Sequence, residues 1–245
     1  MSEVREKATP LENLVRAGDA QTEAVEITPF IFMACDVSNA YLVTTSDGDV
    51  AINTGMPDGA ERSVALFKPH RTGPLRYIVL TQSHADHFGG VPDFMEAGTK
   101  VVGGPGYCQA RDDMIGLQSF FGPRTFKLWG SALKRDKPPL PIPDVTPDIF
   151  VEDRMTLEVG NRTFELIHAP EGETIDNILV WMPKEKIVFT GNTFGPVWLS
   201  MPFLNTLRGD KPRLVRTYLK SLAKVRDLGA EILITGHGDP IEGPN

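Results

Sequence analysis

Four consecutive residues, Tyr77-Ile78-Val79-Leu80, restrict the fold more than any other part of the sequence. The run is short and continuously apolar, which reads as a strand covered on both faces. Such strands occur where other layers close both sides of a sheet, so the chain is expected to build a layered α/β domain. The strand leads straight into Thr81-Gln82-Ser83-His84-Ala85-Asp86-His87, with Gly89-Gly90 just behind. That polar run therefore sits at the C-terminal end of a buried strand.

The rest of the chain repeats the pattern of strands followed by a helix. After a helical lead-in, residues 25–33, 40–45 and 49–53 read as strands, the last two joined around Ser46-Asp47-Gly48. Residues 60–68 read as a helix, 92–97 as a short helix and 100–102 as the next strand. Residues 103–149 carry Gly, Pro, aromatics and the basic cluster Lys134-Arg135-Asp136-Lys137. They read as an irregular insertion with some helix, either a substrate-facing lid or a surface excursion with no active role. Strands return at 155–159 and 163–167 around Gly160-Asn161-Arg162, then at 178–182 and 186–190. A helix over 213–228 precedes a last strand, 231–235, which runs into Gly236-His237-Gly238. Both halves thus supply strands first and a helix afterwards, as a two-sheet core with helices outside would require. One domain over residues 1–245 is the simplest organisation.

Composition removes several function classes. A net charge of −7 and the lack of a dense Lys/Arg run argue against nucleic acid as a partner. Residues 1–20 are too charged for a signal peptide or membrane helix, so no membrane insertion and a cytoplasmic location are expected. Cys35 and Cys108 lie far apart and suggest neither a disulfide framework nor a thiolate metal site. Neither a Gly-x-Ser-x-Gly elbow nor a phosphate-cradling Gly-rich loop is present, which excludes the serine-hydrolase and nucleotide-loop classes.

The motif itself is suited to metal. Gln82 and His84 lie two apart at a strand end and project to one side, while Asp86 and His87 fall in the following turn and reach a second position. One short segment can therefore serve two divalent ions.

On these residues the chain resembles the metallo-β-lactamase-fold hydrolases, whose usual signature at this place is His-x-His-x-Asp-His. The resemblance runs from the first hairpins to Gly236-His237-Gly238-Asp239-Pro240. Within that superfamily it is most similar to the alkylsulfatase-related branch, through Glu171-Gly172-Glu173-Thr174 and Asn205-Thr206-Leu207-Arg208-Gly209. The fold this implies is a four-layer αββα sandwich with its metals at one edge of the two sheets. Gln82 stands where most relatives have His, and an amide is a weaker zinc ligand than imidazole. His84, Asp86 and His87 match the signature. Glu173 takes the slot of a ligand His, with His168 as a rival next to the strand. Asn192 replaces a carboxylate that bridges two metals in most relatives, and His237 matches the last metal-binding His. Asn53 stands where many relatives carry an Asp behind the ligands, although ordinary turn chemistry also accounts for an Asn there. Arg208 matches an arginine that helps hold sulfate in alkylsulfatases, or is a surface arginine. Phe203 occupies a place where that branch has a polar residue.

The resemblance implies two zinc ions, with manganese or iron as alternatives. The Asp86/His87/His237 site is expected to be the tighter and the Gln82/His84/Glu173 site the weaker. Asp86 and Glu173 supply two carboxylates, as many as the common binuclear members use, so the charge balance is kept. The implied activity is attack by metal-activated water, with Asp86 as the catalytic residue. Its target would be a sulfate ester, lactone, carboxylic ester or thioester of a hydrophobic small molecule. Apolar residues including Phe194, Trp198 and Leu204 either line a channel for it or simply pack. The other class is a non-catalytic or altered-activity member that retains one metal site, favoured by Gln82 and Asn192. The sequence leaves homo-oligomerisation open, and it stops at Asn245, where relatives commonly continue.

Overall fold

The computed structural model describes residues 18–133, 140–194 and 211–243. The expected lead-in helix, the basic cluster at 134–137 and the segment containing Arg208 and Phe203 lie outside the described residues. Seven strands form the first sheet in sequential order: β1 (Val25–Thr28), β2 (Ile31–Ala34), β3 (Ala40–Thr45), β4 (Gly48–Ile52), β5 (Leu75–Val79), β6 (Lys100–Gly103) and β7 (Ile149–Phe150). Pairing is antiparallel from β1 to β4 and parallel from β4 to β7. The single strand expected over 25–33 is two strands, because the chain turns back through Pro29 and pairs Val25 with Met33. Three helices follow in this half: α1 (Ala60–Phe67), α2 (Ala85–Phe88) and α3 (Val91–Phe94).

Residues 103–149 contain two further helices, α4 (Tyr107–Gly116) and α5 (Gln118–Leu133), before the chain returns to the sheet edge as β7. The second sheet holds six strands: β8 (Arg154–Val159), β9 (Arg162–His168), β10 (Ile178–Met182), β11 (Ile187–Gly191), β12 (Ile232–Thr235) and β13 (Ile241–Glu242). One helix, α6 (Val215–Leu228), connects β11 to its parallel neighbour β12.

Alternation along the strands sorts the apolar residues into three layers. Tyr41, Val43, Ile52 and Val79 of the first sheet face Leu166, Val180, Met182 and Phe189 of the second, and this is the central core. The opposite face of the first sheet, through Leu42, Ala51 and Ile78, packs under Leu66, Phe67, Phe88 and Phe94 of α1 to α3. The opposite face of the second sheet, through Leu179, Trp181 and Val188, packs under Val225 of α6. The order is helix, sheet, sheet, helix, the expected four-layer αββα sandwich. It explains why β10 is buried at all five positions: its two faces belong to different cores. Among the described residues no helix is long and apolar enough to cross a membrane.

Candidate metal centre

The loops that follow β2, β5, β9, β11 and β12 meet at one edge of the two sheets. The motif residues do not sit in a bare turn after β5. Gly89 N–H closes a bond to the Ala85 carbonyl, so Asp86 and His87 ride on the one-turn helix α2, with His84 at its N-cap. This turns the Asp86 and His87 side chains toward the loop after β12, which carries His237.

Asp86 Oδ2 lies 3.7 Å from His87 Nε2 and 3.6 Å from His237 Nε2. Among the described residues these three form the group of His, Cys or carboxylate side chains whose ligand atoms all fall within 4.8 Å of one another. Both Nε2 atoms are buried and have no hydrogen-bond partner. Their other ring nitrogens are engaged. His237 Nδ1 donates to the Val37 carbonyl. His87 Nδ1 lies 3.2 Å from Ser38 Oγ and 3.4 Å from Thr81 Oγ1. Ser38 gives its own proton to the Gly236 carbonyl at 3.0 Å, and Thr81 gives its proton to Asn53 Oδ1 at 3.0 Å. Each hydroxyl is left with a lone pair for the His87 Nδ1–H, which fixes the tautomer with Nε2 as a bare acceptor.

Burial pushes the His87 imidazole down to about 4, against the pull of Asp86, so at neutral pH it is uncharged. His237 is lowered in the same way, by burial first. Burial alone would raise the Asp86 carboxyl, but His87, His237 and His84 together hold it below its ordinary range. Two neutral imidazoles and one carboxylate are the donor set a divalent zinc-like ion prefers.

A second cluster adjoins the first. Gln82 Nε2 lies 3.0 Å from His84 Nδ1, and His84 Nδ1 lies 3.4 Å from Glu173 Oε2. Asn192 reaches toward both clusters: its Nδ2 is 3.5 Å from Glu173 Oε2, and its Oδ1 is buried without a hydrogen-bond partner. A Cβ on Gly236 would come within 2.3 Å of Asn192 Oδ1 and 2.8 Å of His87 Cε1. Only glycine lets the β12 loop pass so close to both. The Glu173 loop is a tight turn in which Glu171, at φ +69°, donates its N–H to the Thr174 carbonyl. Two contacts from the start of α6 hold this turn, Arg213 Nε to the Glu173 carbonyl and Leu214 N–H to Glu171 Oε2.

The structure thus brings together Gln82, His84, Asp86, His87, Glu173, Asn192 and His237. His168 is turned elsewhere, its Nε2 donating to the Ile175 carbonyl at 2.9 Å. Phe194 packs against the core under α6. Asn53 combines both readings of its sequence: it adopts φ +56°, as a turn Asn can, and its Oδ1 accepts the Thr81 N–H at 2.9 Å as well as the Thr81 hydroxyl. Missing from the sequence reading was the β2–β3 loop. Val37 and Ser38 hold the imidazoles there, and Asn39 donates from its backbone to Gly236 and from Nδ2 to the Gly238 carbonyl, each at 2.8 Å. Asp36, Ser38 and Asn39, polar residues between two apolar strands and buried in the structure, were the available signal, but their types are those of any turn.

The sequence model described as the metallo-beta-lactamase superfamily matches residues 33–237. Among curated proteins the chain is similar to the beta-lactamase-like protein 2 homolog of Caenorhabditis elegans, 25% identical over 236 residues that cover 96% of this chain and 66% of that protein. It is also similar to the linear primary-alkylsulfatase of Pseudomonas sp. (strain ATCC 19151), 26% identical over 224 residues that cover 82% of this chain and 42% of that one. The chain therefore spans only part of either relative. Among solved structures, a stereoselective inverting sec-alkylsulfatase from Pseudomonas sp. superposes with a TM-score of 0.80 at 19% identity, covering 96% of this chain and 41% of that one. A metallo-beta-lactamase from Pontibacter korlensis gives 0.63 at 20% identity, covering 91% and 94%. The structural likenesses establish a shared fold, and the alkylsulfatase matches bear out the resemblance to that branch.

Proposed function

This chain belongs to the metallo-β-lactamase superfamily, and on that premise we propose that it is a zinc-dependent hydrolase of an ester-type bond in a hydrophobic small molecule. The bond class is a sulfate ester, lactone, carboxylic ester or thioester. Two atoms carry this reading: His87 Nε2 and His237 Nε2 are buried and unbonded, and both face Asp86 Oδ2. An unsatisfied buried acceptor costs about 1–3 kcal/mol, and a bound cation would offset both at once.

The residues that would hold the ion are Asp86, His87 and His237, with Asn192 Oδ1 beside them. When bound, the metal supplies Lewis acidity that lowers the pKa of water and neutralises charge developing on substrate oxygen. Asp86, whose carboxyl is held below its ordinary range, is assigned the proton of the attacking water, on the oxygen that the ion would leave free. His84 and Glu173 present a nitrogen and a carboxylate oxygen 3.4 Å apart on the adjoining side. They position polar atoms of the substrate there. Arg208 is assigned to the substrate's anionic group, since a guanidinium fork matches a sulfate or carboxylate oxygen pair.

A panel of alkyl sulfates, lactones, carboxylic esters and thioesters, assayed with zinc and separately with manganese, tests the proposal. Turnover of one class that disappears with a chelator supports it, and silence across the panel in metal-loaded protein defeats it. Silence would favour the second reading, a member of altered activity. The feature on its side is the amide of Gln82 within 3.0 Å of His84.

A further inference from the structure

The orientation of two side-chain amides decides how many ions the centre can take. Gln82 Oε1 accepts the backbone N–H of Asn192 at 3.0 Å. A backbone N–H cannot serve as an acceptor, so this bond fixes which end of the amide is which. The other end, the NH2 group, is therefore the one turned toward His84 Nδ1 at 3.0 Å. An amide nitrogen carries no lone pair for a cation and presents hydrogens instead. Asn192 is oriented to match: its NH2 faces Glu173 Oε2 at 3.5 Å, while its buried Oδ1 lies on the side of Gly236 and His87.

Two amide donors thus face the two acceptors, His84 Nδ1 and Glu173 Oε2. The positive ends of N–H dipoles stand where a cation would otherwise balance an imidazole and a carboxylate. Across the ridge formed by Asn192 the situation is reversed, with His87 Nε2, His237 Nε2 and Asn192 Oδ1 all buried and unbonded. In one half of the centre an amide N–H group stands against each acceptor, and in the other half three acceptor atoms have no hydrogen-bond partner.

We propose that this chain binds a single metal ion, at Asp86, His87 and His237 with Asn192 Oδ1 as a neutral fourth donor, and that the Gln82 amide closes the neighbouring position to a second ion. The proposal rests on the metallohydrolase reading and revises the two-ion expectation drawn from the family signature. His84 and Glu173 are then polar side chains of the substrate pocket.

Metal stoichiometry tests this independently of activity. Chelator-stripped chain dialysed against rising free zinc is expected to saturate at one ion per chain, and Gln82→His, which places an imidazole in the closed position, at two. Native chain that saturates at two overturns the proposal while leaving the metallohydrolase reading in place. Native chain that binds no zinc overturns both. A cobalt(II) titration of the native chain gives a readout that needs no variant. One set of visible absorption bands complete at one equivalent supports a single site, and a second set growing between one and two equivalents refutes it. Gln82→His with an unchanged circular dichroism spectrum that still saturates at one would also refute it, because the amide would then not be what closes the position.

Discussion

His237 Nδ1 donates to the carbonyl of Val37, 200 residues earlier in the chain. That bond holds the ring with Nε2 directed at Asp86, and the same β2–β3 loop sets the second ring through Ser38. Groups behind metal-binding histidines typically contribute 10–100-fold to metal affinity by fixing tautomer and orientation. Ser38→Ala is therefore expected to weaken zinc binding by roughly 10–100-fold with little change in fold, as read by competition with a chromophoric chelator. Affinity equal to that of the native chain would show that Thr81 alone orients His87.

Asp86→Ala removes the carboxylate that faces both His87 Nε2 and His237 Nε2 and is expected to abolish zinc binding and any hydrolysis found. His168→Ala removes a ring already committed to the Ile175 carbonyl and should retain most of both. Zinc content and initial rates of the two variants side by side would reveal the reverse order, which would mean that the ligand assignment is wrong.

Gly236→Ala places a methyl group where Asn192 Oδ1 and His87 Cε1 already stand, at 2.3 and 2.8 Å. Either the β12 loop or the His87 ring must move. Overpacking of this kind costs about 1–3 kcal/mol. The variant should show a lower Tm and weaker zinc binding together, measured by calorimetry with and without the metal.

Asp36 lies in the β2–β3 loop just before Val37, its Oδ2 accepting the Met56 N–H at 2.9 Å. Burial raises its carboxyl from 3.8 to about 6. In the folded chain it therefore keeps its proton over a range in which the unfolded chain has lost it. Its contribution to stability is complete below pH 4 and declines as pH rises toward 6, by about 2–3 kcal/mol. Asp36→Asn should flatten that part of the pH profile and be the more stable form at pH 7. Denaturant titrations at pH 4, 5, 6 and 7 would show it, and parallel profiles for the two proteins would rule it out.

Much of the fold could be read in the sequence because each layer leaves a local mark. Strands such as Ile178–Met182 are apolar throughout since both faces are covered, and α6 follows helical spacing because one face alone meets the sheet. The two-residue strands β7 and β13 leave no such mark, being defined by pairing with β6 and β12. The break at Pro29 was hidden for a related reason: apolar residues continue on both sides, and only the pairing of Val25 with Met33 reveals the reversal. At the centre, His84, Asp86, His87 and His237 were recognisable by type and place. The end of Gln82 that faces His84 was not. It is set by a backbone N–H 110 residues away, and residue type says nothing about which way an amide is turned.

The ligands of the proposed ion come from both halves of the chain, Asp86 and His87 from beside the first sheet and His237 from the second. Neither half could hold the ion alone, so its binding free energy belongs to the closed sandwich and to no smaller piece. An ion seated there is a rivet through the two sheets, and its loss would be felt as a loosening of the seam between them.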